Sequence, residues 1–233
     1  PFTVRKEVIK RKKGASVTET VYENEHGLLE GDPHVEGHYL VMNWAVHRGY
    51  GAGDFNGVMR FLSSRSVEEL QQHFRALEVW PWCWVAADVD GNIGYQMSGR
   101  MPKRPEGVSG LLALPGWKAK YDSQGTEPAE RLPCAFNPEN GVLVTANDDL
   151  NHLGQANPIN LPMATYRAER IKQLLAEKAP LTVEKMKEIQ LDLYSLQAER
   201  FMKVFRPYLP NTPNGRLLGE WDYCYDTDSQ GAM

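Results

Sequence analysis

The chain has 233 residues, 42% hydrophobic and 24% charged, with a formal net charge of −4. That length suits one large domain or two small ones with a true core. The charge gives no general pull toward nucleic acid or anionic membrane, and no apolar run approaches the ~18 residues of a membrane span.

The N-terminal PFTVRKEVIKRKKG is locally basic, with Arg5, Lys6, Lys10, Arg11, Lys12 and Lys13 against Glu7. A solvated strand-turn-strand accounts for such a cluster better than a binding patch does. The segment has no apolar signal core, so nothing in it directs export. Val4 to Lys10 and Val17 to Glu23 flank Lys12-Lys13-Gly14 and predict a hairpin. Tyr39 to Val46 is mostly apolar and predicts a strand buried on both faces. After the glycines at 49, 51 and 53 the pattern turns helical. Ser66-Val67-Glu68-Glu69 predicts a capping box, with Leu70, Phe74 and Leu77 following on one helical face.

Trp82 to Asp88 and Asn92 to Ser98 flank Asp90-Gly91, a pair suited to positive φ in a tight turn. From Met101 to Asn140 the chain is loop-like and rich in proline and glycine. So long an irregular segment is uncommon in a compact domain unless it is functional or packed on a partner. Gly141 to Asn147 is another strand candidate. Tyr166 to Lys178 predicts a helix carrying Ile171, Leu174 and Leu175. Thr182 is then expected to cap one long amphipathic run that ends before Pro207. Its stripe of Met186, Ile189, Leu193, Leu196, Phe201 and Phe205 reads as core. The acidic tail WDYCYDTDSQGAM shows no helix cap or turn. Strands followed by segregated helices give α+β as the class, with no internal repeat.

Few residues carry chemistry on their own. Cys83, Cys134 and Cys224 are far apart and odd in number, so buried unreactive thiols are expected rather than a zinc ribbon or disulfide framework. Asp88-Val89-Asp90-Gly91-Asn92 invites a calcium-loop reading, but an EF-hand needs Gly sixth and a carboxylate twelfth, where this chain has Gly99. His34 and His38 stand four apart, yet Pro33 and Gly37 deny them a helix and no H-E-x-x-H accompanies them. The remaining histidines are isolated, and there is no Walker loop or G-x-G-x-x-G. Pro1 could act as an amine base, as in tautomerases, although those chains are much shorter. Trp80, Trp82, Trp84 and Trp117 offer either a carbohydrate-stacking face or, more simply, sheet core.

Several segments taken together are similar to the β-chain of the penicillin acylase (penicillin amidase) family. Ala87-Asp88-Val89-Asp90-Gly91-Asn92-Ile93-Gly94-Tyr95, Ser98-Gly99 and Met101-Pro102-Lys103-Arg104 resemble its AD-x-x-GNIGY … G-x-x-P-x-R stretch. Leu114-Pro115-Gly116-Trp117, Leu132-Pro133 and Asn137-Pro138-Glu139-Asn140-Gly141, running into Thr145-Ala146-Asn147, resemble its PGW … P … NP-x-x-G-x-x-x-TAN order. His26-Gly27, the Tyr166 to Ile171 stretch with Leu181-Thr182-Val183-Glu184, and Trp221-Asp222 match shorter family elements. The resemblance covers nearly the whole chain in family order.

The resemblance implies part of an N-terminal-nucleophile hydrolase fold, a four-layer αββα sandwich. It implies acyl transfer: a serine freed at the start of the β-chain attacks an amide carbonyl, and water releases the acid. Ala146-Asn147 matches the motif of the oxyanion asparagine, so Asn147 is the expected catalytic donor; ending a strand or capping a turn is the plainer reading. Arg167 resembles an arginine near the active-site mouth and is a candidate for substrate binding, with an ion pair to Glu169 or Glu130 as the alternative. Pro102 matches a proline whose carbonyl helps hold calcium in some members, but the acidic ligands for that ion lie largely outside this chain, and neither metal nor cofactor is expected. Asp148 stands where many members have a second asparagine.

No segment resembles the nucleophile's strand, and the first residue is Pro1. Residues 1–233 are therefore expected to be a single internal β-chain segment of a larger acylase, inactive alone, with parts 1–80, 81–147 and 148–233. Its expected partners are the α-chain, the N-terminal part of the β-chain and a small acyl amide; nucleic acid and membrane are not expected. An exposed apolar sheet face would favour self-association of the segment. The family implies a periplasmic or secreted parent, without fixing the compartment. A non-catalytic glycan- or ligand-binding module built on the tryptophan-bearing sheet is the alternative function.

Overall fold

A computed structural model describes residues 1–45, 51–176 and 180–232; the readings at Val46, Gly49 and Lys178 lie outside them. The chain divides into two compact units, Pro1–Glu139 with Asn151–Leu161, and Asn140–Leu150 with Pro162–Met233.

The first unit opens with the expected hairpin, strand β1 (Thr3–Ile9) antiparallel to β2 (Val17–Asn24) in register Thr3↔Glu23 through Ile9↔Val17. Strands β3 (Gly27–Glu30) and β4 (Leu40–Met42) continue the sheet in the order β1-β2-β3-β4. Gly27 makes the β2–β3 turn possible. Its φ is +131°, and a Cβ there would lie 2.1 Å from the Met42 carbonyl oxygen. The apolar run from Tyr39 departs from expectation. Only Leu40–Met42 pairs, and Leu40 and Met42 are exposed at 59% and 47%, because the described residues supply no layer over this end of the sheet.

Helix α1 (Gly51–Phe61) and helix α2 (Val67–Arg75) lead into a second sheet of β5 (Cys83–Ala87), β6 (Ile93–Met97) and β7 (Cys134–Phe136), in that order. Ser66 Oγ caps α2 by accepting the Glu69 N–H at 3.2 Å. The return arm of the box differs, since the Glu69 carboxylate accepts from Arg65 N–H at 2.8 Å rather than from Ser66. The buried face of α2 is Val67, Gln71 and Phe74, with Leu77 just beyond, whereas Leu70 is half-buried. Gln71 is the informative member. Its Nε2 donates to the Tyr95 carbonyl at 2.8 Å and the Ala135 carbonyl at 2.9 Å, tying α2 to both β6 and β7.

The β5–β6 turn is the hairpin expected at Asp90-Gly91. Asp88 Oδ1 accepts the backbone N–H of Asp90 at 3.0 Å and of Asn92 at 2.9 Å, while Gly91 takes φ +88°. Hydrogen bonds from Asn92, side chain first, hold the Asp88 carboxyl below its ordinary value. Trp84 stacks on Phe74 at 4.5 Å and meets Phe61 edge-on, as a core residue does. The core reading fails for Trp82 and Trp117, which are 51% and 78% exposed. The long segment from Met101 is held by a Pro102↔Thr126 bridge, short 3₁₀ turns at Ala119–Tyr121 and Ala129–Arg131, and the buried Leu132.

The second unit carries α3 (Tyr166–Leu175), α4 (Val183–Gln190), α5 (Leu196–Phe205) and α6 (Pro213–Glu220). Thr182 caps α4 as expected, accepting the Lys185 N–H at 3.2 Å. The single long helix does not form. Ser195 N–H donates to Tyr223 O at 2.9 Å and Tyr225 N–H to Leu193 O at 3.1 Å, so residues 193–195 pair with the tail instead of continuing the helix. Ser195 Oγ then caps a fresh helix by accepting the Ala198 N–H at 3.1 Å. The break takes the expected stripe out of phase: Leu196 and Met202 are buried with Ala198, while Leu193, Phe201 and Phe205 are exposed. Thr212 and Pro213 start α6, a Thr-Pro cap-and-first-turn pair that the chain displays openly. Gly141–Asn147 forms no ladder with any described strand and is irregular chain rather than the expected strand.

Candidate active site

Asn147 sits at a sharp bend following this irregular stretch. Its φ is +64°, the left-handed region that Asn tolerates better than most residues but that still requires support from neighbours. Three backbone hydrogen bonds supply it. Asp148 Oδ1 accepts the Ala146 N–H at 3.0 Å, Met163 N–H donates to the Asn147 carbonyl at 2.7 Å, and Arg167 Nη2 donates to the Ala146 carbonyl at 2.7 Å. Ala146 and Asp148 are buried on either side of the exposed Asn147.

Arg167 comes from the first turn of α3. The same Nη2 that holds the Ala146 carbonyl donates to Asn147 Oδ1 at 2.6 Å, with Met163 Sδ 3.4 Å away. A guanidinium has donors only, so the amide must present oxygen to it. The Asn147 NH2 therefore points away from Arg167, and it has no partner among the described residues. The positive charge on Oδ1 also polarises the amide, making its N–H a stronger donor. The arrangement offers one preoriented N–H donor where negative charge could be stabilised.

The ion pair of Arg167 with Glu169 does not form. Glu169 instead binds the Thr165 hydroxyl and Arg200, and these two hydrogen bonds, that of Thr165 first, hold its carboxyl below the ordinary value. Arg167 also lines a groove of about 390 Å³ with Tyr166, Arg170, Leu174, Asp192 and Leu196. Within it Arg170 grips Asp192 with two bonds of 2.8 and 2.6 Å and lies 4.7 Å over the Tyr194 ring. The Arg170 hydrogen bonds hold the Asp192 carboxyl below its ordinary value. Burial pushes the Tyr194 hydroxyl and the Cys224 thiol up.

The other candidates are not gathered at this site. Among the described residues no three His, Cys, Asp or Glu side chains cluster to hold a metal, and Pro102 lies in its bridge with Thr126. His34 packs edge-on against Tyr22 at 5.9 Å. The three cysteines are half-buried free thiols. Trp221 is buried, its Nε1 donating to Cys224 O at 2.9 Å. The roles of Asp148 and Met163 around Asn147 were missed from sequence; the Asn-Asp pair, a frequent turn former, was the available signal.

Comparison with solved proteins places this architecture. The structure matches the thermostable penicillin G acylase from Alcaligenes faecalis with a TM-score of 0.75 at 19% identity, over 97% of this chain and 42% of that one. The α+β chain thus carries part of an N-terminal-nucleophile hydrolase fold. The family model for penicillin amidase matches residues 1–233, and the chain belongs to that family. It is 29% identical, along its whole length, to the penicillin acylase 2 proenzyme of Pseudomonas sp. (strain SE83), of which it spans 30%. It is 28% identical, over 88% of its length, to the acyl-homoserine lactone acylase QuiP of Pseudomonas aeruginosa, of which it spans 25%. The chain therefore spans less than a third of these curated relatives.

Proposed function

We propose that these 233 residues are one β-chain segment of an acylase-type amidohydrolase that cleaves N-acyl amides, and that Asn147 donates to its oxyanion. The attacking serine belongs to polypeptide outside this segment, and the segment alone does not turn over substrate. The observation that carries the reading is the 2.6 Å bond from Arg167 to Asn147 Oδ1, which leaves the amide N–H2 as the group on offer. As the serine hydroxyl adds to the amide carbonyl, the carbonyl oxygen becomes anionic, and a donor already aimed at it avoids reorganisation during the step. Arg167 acts chiefly by orienting that donor, and the groove beside it is the place where a substrate would meet its second face. The relatives' names point to the acyl groups of penicillins and acyl-homoserine lactones as substrate classes; lipopeptide acyl groups are a third. The test is to incubate the intact protein with phenylacetyl and fatty-acyl amides and follow release of free amine. Turnover of at least one is expected; a correctly processed protein that cleaves none of them contradicts the reading.

A further inference from the structure

Asp148 is a carboxylate only 6% exposed. Burying a charge is costly unless it is hydrogen-bonded, so its placement beside the candidate donor calls for a function. Its Oδ1 accepts the Ala146 N–H at 3.0 Å, a bond that closes a ring across Asn147. Arg167 holds the carbonyl of the same Ala146, and Met163 N–H holds the carbonyl of Asn147. The peptide groups around Asn147 are thus anchored by three residues, Asp148, Met163 and Arg167, and the left-handed φ of +64° is held from both sides. We infer that Asp148 is a positioning residue for the oxyanion donor: its carboxylate fixes the backbone of Asn147 so that the amide N–H2 stays aimed at the reacting carbonyl. A carboxylate suits this task because either oxygen accepts, whereas an asparagine offers an acceptor in only one of its two amide orientations. A charged acceptor on a backbone N–H also makes the stronger bond.

This inference rests on Asn147 being the oxyanion donor, and the test separates the two. In the intact protein, with a chromogenic N-acyl-4-nitroanilide as probe, Asp148→Ala is expected to lower kcat by roughly 10- to 100-fold, since small misplacements of a reacting group cost on that order. KM is expected to change less than about threefold, and Asp148→Asn to restore most of kcat, because its amide oxygen can face the Ala146 N–H. The effect of Asp148→Ala should vanish in an Asn147→Gly background, because Asp148 acts through that amide. If Asp148→Ala does not fold, Asp148→Ser, whose acceptor sits one bond short, is expected to show about a tenfold loss on the same reasoning. Wild-type kcat in a folded Ala or Ser variant, or an undiminished loss in the Asn147→Gly background, overturns the positioning role. Wild-type kcat in Asn147→Gly itself overturns the oxyanion reading beneath it.

Discussion

Arg167 and Asn147 are joined by a single 2.6 Å bond from guanidinium Nη2 to amide Oδ1. Because arginine can only donate, the bond decides which end of the amide faces outward. A side chain twenty positions away in sequence thereby sets the direction of the candidate catalytic donor.

Replacing Arg167 by Met removes that constraint and lets the amide rotate. In the intact protein kcat is expected to fall about 100-fold while KM changes little, the pattern of a lost transition-state interaction. Arg167→Lys should recover only part of the loss, since the shorter lysine stem stops its ammonium short of the Nη2 position that donates to both Ala146 O and Asn147 Oδ1. Steady-state kinetics on an N-acyl amide check this, and an unchanged kcat in Arg167→Met excludes the orienting role.

The Arg170–Asp192 pair predicts a pH dependence. Its hydrogen bonds place the Asp192 pKa below the ordinary value in the folded state, so its contribution is present above the unfolded value of ~3.9 and is lost as pH falls through the folded value. The side chains are 27% and 19% exposed, and the charged bonds are worth about 2 kcal/mol at neutral pH. Asp192→Asn should lower unfolding free energy by about that amount at pH 7. The gap from wild type should close only under acid conditions, below the unfolded value. Urea unfolding across pH measures it; a gap that stays constant down through that range contradicts the assignment.

Gln71 spans two strands from one helix. Gln71→Leu keeps the volume but removes the amide donor that the Tyr95 and Ala135 carbonyls share across the β6–β7 ladder, at a cost of about 1–2 kcal/mol. Gln71→Glu should be at least as harmful, because an ionised carboxylate cannot donate to either carbonyl. Thermal unfolding distinguishes these from Gln72→Leu, a change at an exposed neighbour expected to be nearly silent.

Much of the local structure was legible in the sequence because local rules set it. The hairpin around Gly14, the turn at Asp88 to Asn92, and the caps at Ser66 and Thr182 all depend on residues within a few positions of one another. Elements decided by distant partners were misread. The helix break at residues 191–195 depends on pairing with residues 223–225, far along the chain. The apolar runs at Tyr39 and along α4 and α5 read as core, but periodicity reports a face's chemistry and not what covers it. At the candidate site, ordered family-like segments picked out Asn147 and Arg167. Their contact, and the parts of Asp148 and Met163, arise from a bend that no linear pattern encodes.

The most direct measurement is the single-turnover acylation rate of the intact protein carrying Asn147→Gly. Glycine accepts the positive φ without strain, so the backbone is preserved while the amide donor is removed. Acylation is expected to slow by ~10²–10³ with unfolding behaviour close to wild type. A folded Asn147→Gly protein that acylates at the wild-type rate would contradict the assignment of Asn147 as the oxyanion donor.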